Sequence, residues 1–140
     1  MWYTCQIELI MDELYQENIL DHAKNPRNYG ELVDASCNAK GDNPSCGDSA
    51  ELFLKLDDSE VVTNASFTGY GCAVSQASMS ILTAELKGKN IHQLKSIMPG
   101  DIYKMLGINI SPARVNCALL SYRALEQTLM QYDKNKRKYA

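Results

Sequence analysis

The sequence predicts an α+β fold: a small antiparallel sheet of about three strands, helices packed on one of its faces, and a long C-terminal helix. Two-residue alternation of apolar side chains runs through Ser49–Leu56 and Val61–Tyr70. From Ser75 onward the apolar period becomes helical. Strands therefore follow strands and helices follow helices, which does not suit a βαβ architecture.

Asp12 to Lys24 reads as a helix capped by Asp12 and stopped by Pro26 and Gly30. His22, near its C-terminus, reads as a packing or capping histidine at the end where a cation is favoured. Ala35 to Asn43 fits a short first strand. Ser49 to Leu56 alternates cleanly, Asp57-Asp58-Ser59 supplies a turn, and Val61 to Tyr70 forms the partner strand. Gly69-Tyr70-Gly71-Cys72 breaks that strand. A helix follows from Ser75, closed by Gly88, with small residues (Ala73, Ser75, Ala77, Ser78, Ser80) that permit close approach. Lys89 to Ile97 suggests a short helix with an exposed His92, and Asp101 to Leu106 another with Asp101 as N-cap. Ser111-Pro112 is a strong helix start, and Val115 to Tyr132 then holds the helical period.

A chain of 140 residues, 45% hydrophobic and 22% charged, suits one globular domain. The expected organisation is an extension over residues 1–11, one domain over 12–133, and a solvated basic tail over 134–140 that includes Lys134 to Lys138. A net charge of −3 argues against nucleic acid as a partner. No apolar run approaches the length of a membrane span and no export signal is visible, so a cytoplasmic location without membrane partners is expected.

Five cysteines (Cys5, Cys37, Cys46, Cys72 and Cys117) form an odd, irregularly spaced set, unlike a disulfide framework. Metal binding or thiol chemistry is the better use for some of them. In Asn43-Pro44-Ser45-Cys46-Gly47-Asp48 a thiol and a carboxylate stand two residues apart. If a strand begins there, both point to one face. Cys72 falls between a strand end and a helix start, and Cys117 near another helix start, where the dipole favours thiolate. Each cysteine taken alone reads equally as packed core, and no CxxC pair anchors a site. Cys5 and Cys37 have no comparable setting.

Several stretches taken together resemble the IscU/SufU/NifU N-terminal family. They are Asp21-His22, Asn25-Pro26-Arg27-Asn28-Tyr29-Gly30, Asn43 to Asp48, Gly71-Cys72-Ala73-Val74-Ser75-Gln76-Ala77-Ser78 with Gly88-Lys89, and Pro112-Ala113-Arg114-Val115-Asn116-Cys117-Ala118. The resemblance runs in order from about Asp12 to Tyr132. It implies an iron–sulfur cluster assembly scaffold, or alternatively a zinc-bound sulfur acceptor, with Cys46, Asp48, Cys72 and Cys117 as metal ligands. It implies a transient [2Fe–2S] cluster or Zn2+ as occupant. The implied partners are a cysteine desulfurase, apo iron–sulfur acceptor proteins and, when cluster-loaded, a second copy of the chain. Cys117 is the expected persulfide acceptor. Arg114, one helical turn earlier, reads either as a stabiliser of its thiolate or as a surface arginine.

Two departures from the family pattern stand out. Asn116 occupies the position where IscU-type scaffolds carry a histidine, and Arg114-x-x-Cys117 looks instead like the SufU type. The interval from Cys72 to Cys117 is nevertheless short for that branch. Ser111-Pro112-Ala113-Arg114 also replaces the Leu-Pro-Pro-Val-Lys stretch read by the scaffolds' dedicated chaperone. Thiolates suit zinc and iron–sulfur clusters alike. Asp48 is the harder donor, and a scaffold that must release its cluster calls for one exchangeable ligand. A cysteine hydrolase would need His22 or His92 beside a thiol, and neither context suits that role. A Cys3Asp set is also unusual for a closed structural zinc site.

Overall fold

The computed structural model describes residues 17–43, 48–107 and 115–139. Helix α1, described over residues 17–24, leads into a meander of β1 (Cys37–Asn43), β2 (Asp48–Leu56) and β3 (Val62–Tyr70). Five further helices follow: α2 (Ala73–Leu86), α3 (Ile91–Lys95), α4 (Pro99–Leu106), α5 (Val115–Ala118) and α6 (Leu120–Tyr139). The expected α+β order is therefore observed. Asp12 and Ser111-Pro112, expected as helix caps, lie outside the described residues.

Both strand pairs are antiparallel, and register explains the core. Leu52 faces Phe67 across the ladder and Leu54 faces Ala65, all completely buried. Each such leucine contributes about 2 kcal/mol of burial. Asp57 closes the β2–β3 turn, its Oδ1 accepting from the N–H groups of Ser59 at 2.9 Å and Val61 at 3.0 Å. Beyond β3, residue 67 bonds residues 28 and 30 of the segment after α1: Gly30 N–H donates to Phe67 O and Phe67 N–H to Asn28 O. That pairing covers part of the sheet edge.

Helices α2 and α6 pack on the sheet. Nine of the 14 residues of α2 are buried, so it is a central helix with no broad polar face. Its small residues do more than permit close approach. Ser78 Oγ donates to Ala118 O at 2.7 Å, Thr83 Oγ1 donates to Ser80 O at 2.9 Å, and Ser80 Oγ accepts from Arg27 N–H at 2.8 Å. The α6–β1 contact is close at Gly41, where an added Cβ would stand 2.6 Å from Ala124 N.

Three expectations change. Helix α4 starts at Pro99, two residues early, because proline presets the first helical position. Asp101 is therefore in the first turn, and its Oδ2 accepts from Met98 N–H at 2.8 Å. The long helix is divided at Leu119, although Leu119 N–H to Val115 O and Arg123 N–H to Leu119 O (both 3.0 Å) keep α spacing across the division. The division coincides with the Ser78 hydroxyl bonding the Ala118 carbonyl. Residues 134–139, expected as part of a tail, continue α6, and Lys136 there bonds Glu60 at 2.6 Å. No helix among the described residues is long and apolar enough to cross a membrane.

His22 joins α1 to α2, its Nδ1 lying 2.7 Å from Ser80 Oγ. Because Ser80 already accepts from Arg27 N–H, its own proton is best directed at an unprotonated Nδ1. Burial, aided by the Arg27 charge and opposed by Asp21, holds the His22 pKa below the usual histidine value. This histidine is thus kept neutral, instead of serving as a cationic cap. A depressed folded-state pKa contributes stability that is complete above about pH 6.5 and is lost as pH falls through the folded value. Melting temperature should therefore drop between pH 7 and 5. The drop should be shallower in His22→Asn, whose amide oxygen accepts without titrating; equal slopes in the two proteins would contradict this role.

Candidate metal centre

Three elements converge where β2 begins. Asp48 is the first residue of β2, and its carboxyl group is buried despite its charge. Cys72 is the N-cap of α2, with extended backbone angles (φ −72°, ψ 172°) and its carbonyl accepting from Gln76 N–H at 3.0 Å. Cys117 is buried in α5. A carboxylate oxygen of Asp48 and the Sγ atoms of Cys72 and Cys117 all lie within 4.8 Å of one another. Around a tetrahedral zinc with Zn–S of about 2.3 Å, ligand atoms stand roughly 3.7 Å apart. A modest contraction brings this set to bonding distance. Two soft sulfurs and one hard oxygen fit zinc or iron in the presence of sulfide.

Residues that sequence reading passed over hold the carboxylate in place. Ser75 Oγ, fully buried in the first turn of α2, donates to Asp48 Oδ2 at 2.7 Å and lies 3.5 Å from Cys72 Sγ. Gly71 leaves the room required: an added Cβ would stand 2.9 Å from Asp48 Cγ and 3.0 Å from Ser75 Cβ. The available signal was a hydroxyl residue three positions after a cysteine at a helix start, the spacing that returns a side chain to the first turn.

Burial alone would raise the Cys72 pKa. Hydrogen bonds from the Ser75 and Val74 backbone N–H groups and from the Cys117 thiol oppose burial, and the Cys72 pKa lies below the ordinary thiol value. Cys37, only 2% exposed in β1, has no such help, and burial pushes its thiol up to about 12. It is a core residue. Asn116 turns its side chain to Arg123, whose Nη2 donates to Asn116 Oδ1 at 3.0 Å. His92 is exposed in α3, and neither it nor His22 belongs to the three-donor group. Cys5, Cys46 and Arg114 lie outside the described residues.

The family described as the NifU-like N-terminal domain matches residues 14–139. The chain belongs to this family. Among curated relatives, the zinc-dependent sulfurtransferase SufU of Bacillus subtilis is 40% identical over 134 aligned positions, covering 84% of this chain and 90% of that protein. The iron–sulfur cluster assembly scaffold protein IscU of Haemophilus influenzae is 33% identical over 121 positions, covering 84% and 94%. A solved structure of SufU from Fervidobacterium islandicum superposes with a TM-score of 0.69 at 29% identity, covering 81% of this chain and 94% of that one. Relatives of both kinds, scaffold and sulfurtransferase, thus share this NifU-like domain.

The thiol environments differ enough to be read by alkylation. In chelator-treated protein at pH 8, iodoacetamide should modify Cys72 faster than Cys37 by about a hundredfold or more, since thiolate is the reactive form. Peptide mass spectrometry over time gives both rates. Comparable rates would contradict the assigned environments.

Proposed function

We propose that this protein is an iron–sulfur cluster assembly scaffold. It accepts persulfide sulfur from a cysteine desulfurase, takes up iron, assembles a [2Fe–2S] cluster and transfers it to apo-acceptor proteins. The observation that carries this reading is the meeting of a buried carboxylate with two thiols from separate elements. A closed structural site favours thiolate and imidazole throughout. One hard donor among soft ones suits a cargo that must leave.

In this reading Cys72, Cys117 and Asp48 are ligands, with Cys46 as the fourth. Cys117 is also the sulfur acceptor. Its thiolate attacks the outer sulfur of the desulfurase persulfide, a Cys117 Sγ–S bond forms, and the desulfurase S–S bond breaks with its electron pair left on the desulfurase thiolate. Electrons that reduce this sulfur to sulfide come from ferrous iron and an external reductant. Arg114, one turn before Cys117 in sequence, is assigned to stabilising that thiolate. The partners are the desulfurase, apo-acceptors and, in the cluster-loaded state, a second copy.

A second reading has its own support. Asn116 stands where an imidazole ligand would be, its amide is engaged by Arg123, and the 40% identical relative is named a zinc-dependent sulfurtransferase. In that reading the same donors hold zinc, and Cys117 passes its sulfur onward without cluster assembly.

Within the scaffold reading, Asp48 has a role of its own to test. If it is the exchangeable ligand, transfer depends on a carboxylate that can let go of iron and be replaced by an acceptor's thiolate. Asp48→Ala should slow cluster transfer to an apo-acceptor about tenfold, equivalent to roughly 1.4 kcal/mol of barrier, as followed by visible circular dichroism. Transfer as fast as wild type would remove Asp48 from that role.

A further inference from the structure

We propose that Ser75 is the positioning residue of this centre, setting the orientation in which Asp48 presents its carboxylate to a bound metal and so the affinity of the site. The inference rests on the reading of Asp48 as a metal donor.

Three observations meet at this side chain. Its hydroxyl has one proton, and at 2.7 Å from Asp48 Oδ2 that proton is directed to the carboxylate. The same oxygen lies 3.5 Å from Cys72 Sγ, so Ser75 stands between two of the three donors. The space around the pair is closed. Ser75 is 1% exposed, Asp48 is 8% exposed, and a methyl group at Gly71 would collide with both. A carboxylate otherwise turns readily about its terminal torsion, which has a broad, roughly two-fold profile. Here a hydroxyl from a helix turn and a close-packed glycine define its plane before metal arrives.

Orientation of this kind is valuable because the three donors come from three separate elements. Cys72 is placed by the helix backbone and Cys117 by α5, but the carboxylate hangs from a strand end by two rotatable bonds. Outer hydrogen-bond partners of metal ligands typically govern affinity by about 10–100-fold. Ser75 also differs from the other hydroxyls of α2. Ser78 bonds a backbone carbonyl and Thr83 does the same, whereas Ser75 donates to a side chain in the donor set.

A double-mutant cycle read by zinc affinity tests the proposal, with chelator-stripped protein titrated against a chromophoric chelator at fixed pH. Ser75→Ala should weaken zinc binding about tenfold, and Ser75→Thr, which keeps the hydroxyl, should restore most of it. In an Asp48→Ala background the Ser75→Ala change should alter affinity by less than about twofold, because the group it orients is gone. The D48A/S75A protein removes the carboxylate and the hydroxyl together, so it reports on Ser75 where the single variant folds poorly. Equal weakening in both backgrounds would make Ser75 a packing residue and overturn the proposal, as would no weakening in either. If Asp48→Ala itself leaves zinc affinity unchanged, the reading of Asp48 as a donor fails, and the role of Ser75 falls with it.

Discussion

The docking of α2 between β3 and the helices α4, α5 and α6 is the interaction on which the remainder of this structure depends. The helix is buried on most sides, yet four of its buried residues (Ser75, Ser78, Ser80 and Thr83) carry hydroxyls. Buried hydroxyls must find partners, and each partner found fixes another element. Ser80 ties down the α1 end and the Arg27 backbone, Ser78 the α5–α6 junction, and Ser75 the start of β2. Apolar packing of Leu82 and Leu86 supplies much of the cohesion, and the hydroxyls give it direction. Cys72 is carried on the same helix as its N-cap, so its position follows from how α2 docks.

Much of this was legible in the sequence because the signals were periodic. Alternation from Ser49 to Leu56, an Asp-Asp-Ser turn and a second alternating run give a hairpin that the observed register reproduces within a residue at each strand start. The helical period from Val115 to Tyr132 is equally plain, since Ala118, Leu125 and Leu129 all face the core. The meeting of Asp48, Cys72 and Cys117 was implied by the family resemblance, because spacing alone left each cysteine as plausibly packed. What escaped was tertiary. Nothing local says that Ser75 reaches Asp48, 27 positions earlier, or that His22 finds Ser80, 58 positions later. The start of α4 was misplaced because two capping signals, Pro99 and Asp101, lie two residues apart and the proline prevails.

In the proposed reading the donor set balances affinity against release. Two sulfurs bind soft metals firmly, and a buried carboxylate adds charge without the covalency of a third thiolate. Keeping that carboxylate buried is costly unless it is hydrogen-bonded or paired. Ser75 supplies one such hydrogen bond in the protein itself. Asn116 is turned to Arg123 and supplies no imidazole at this position. On that proposal, more of the exchange behaviour falls to Asp48.

The most direct test of the account is anaerobic reconstitution. Chelator-stripped protein would be supplied with ferrous iron, cysteine, a cysteine desulfurase and a reductant while its visible spectrum is recorded. The account predicts a brown protein with sulfur-to-iron charge-transfer bands, equal iron and acid-labile sulfide, and loss of those bands in Cys72→Ala and Cys117→Ala. A protein that stays colourless under these conditions, takes up stoichiometric zinc instead and still accepts persulfide would contradict the scaffold reading.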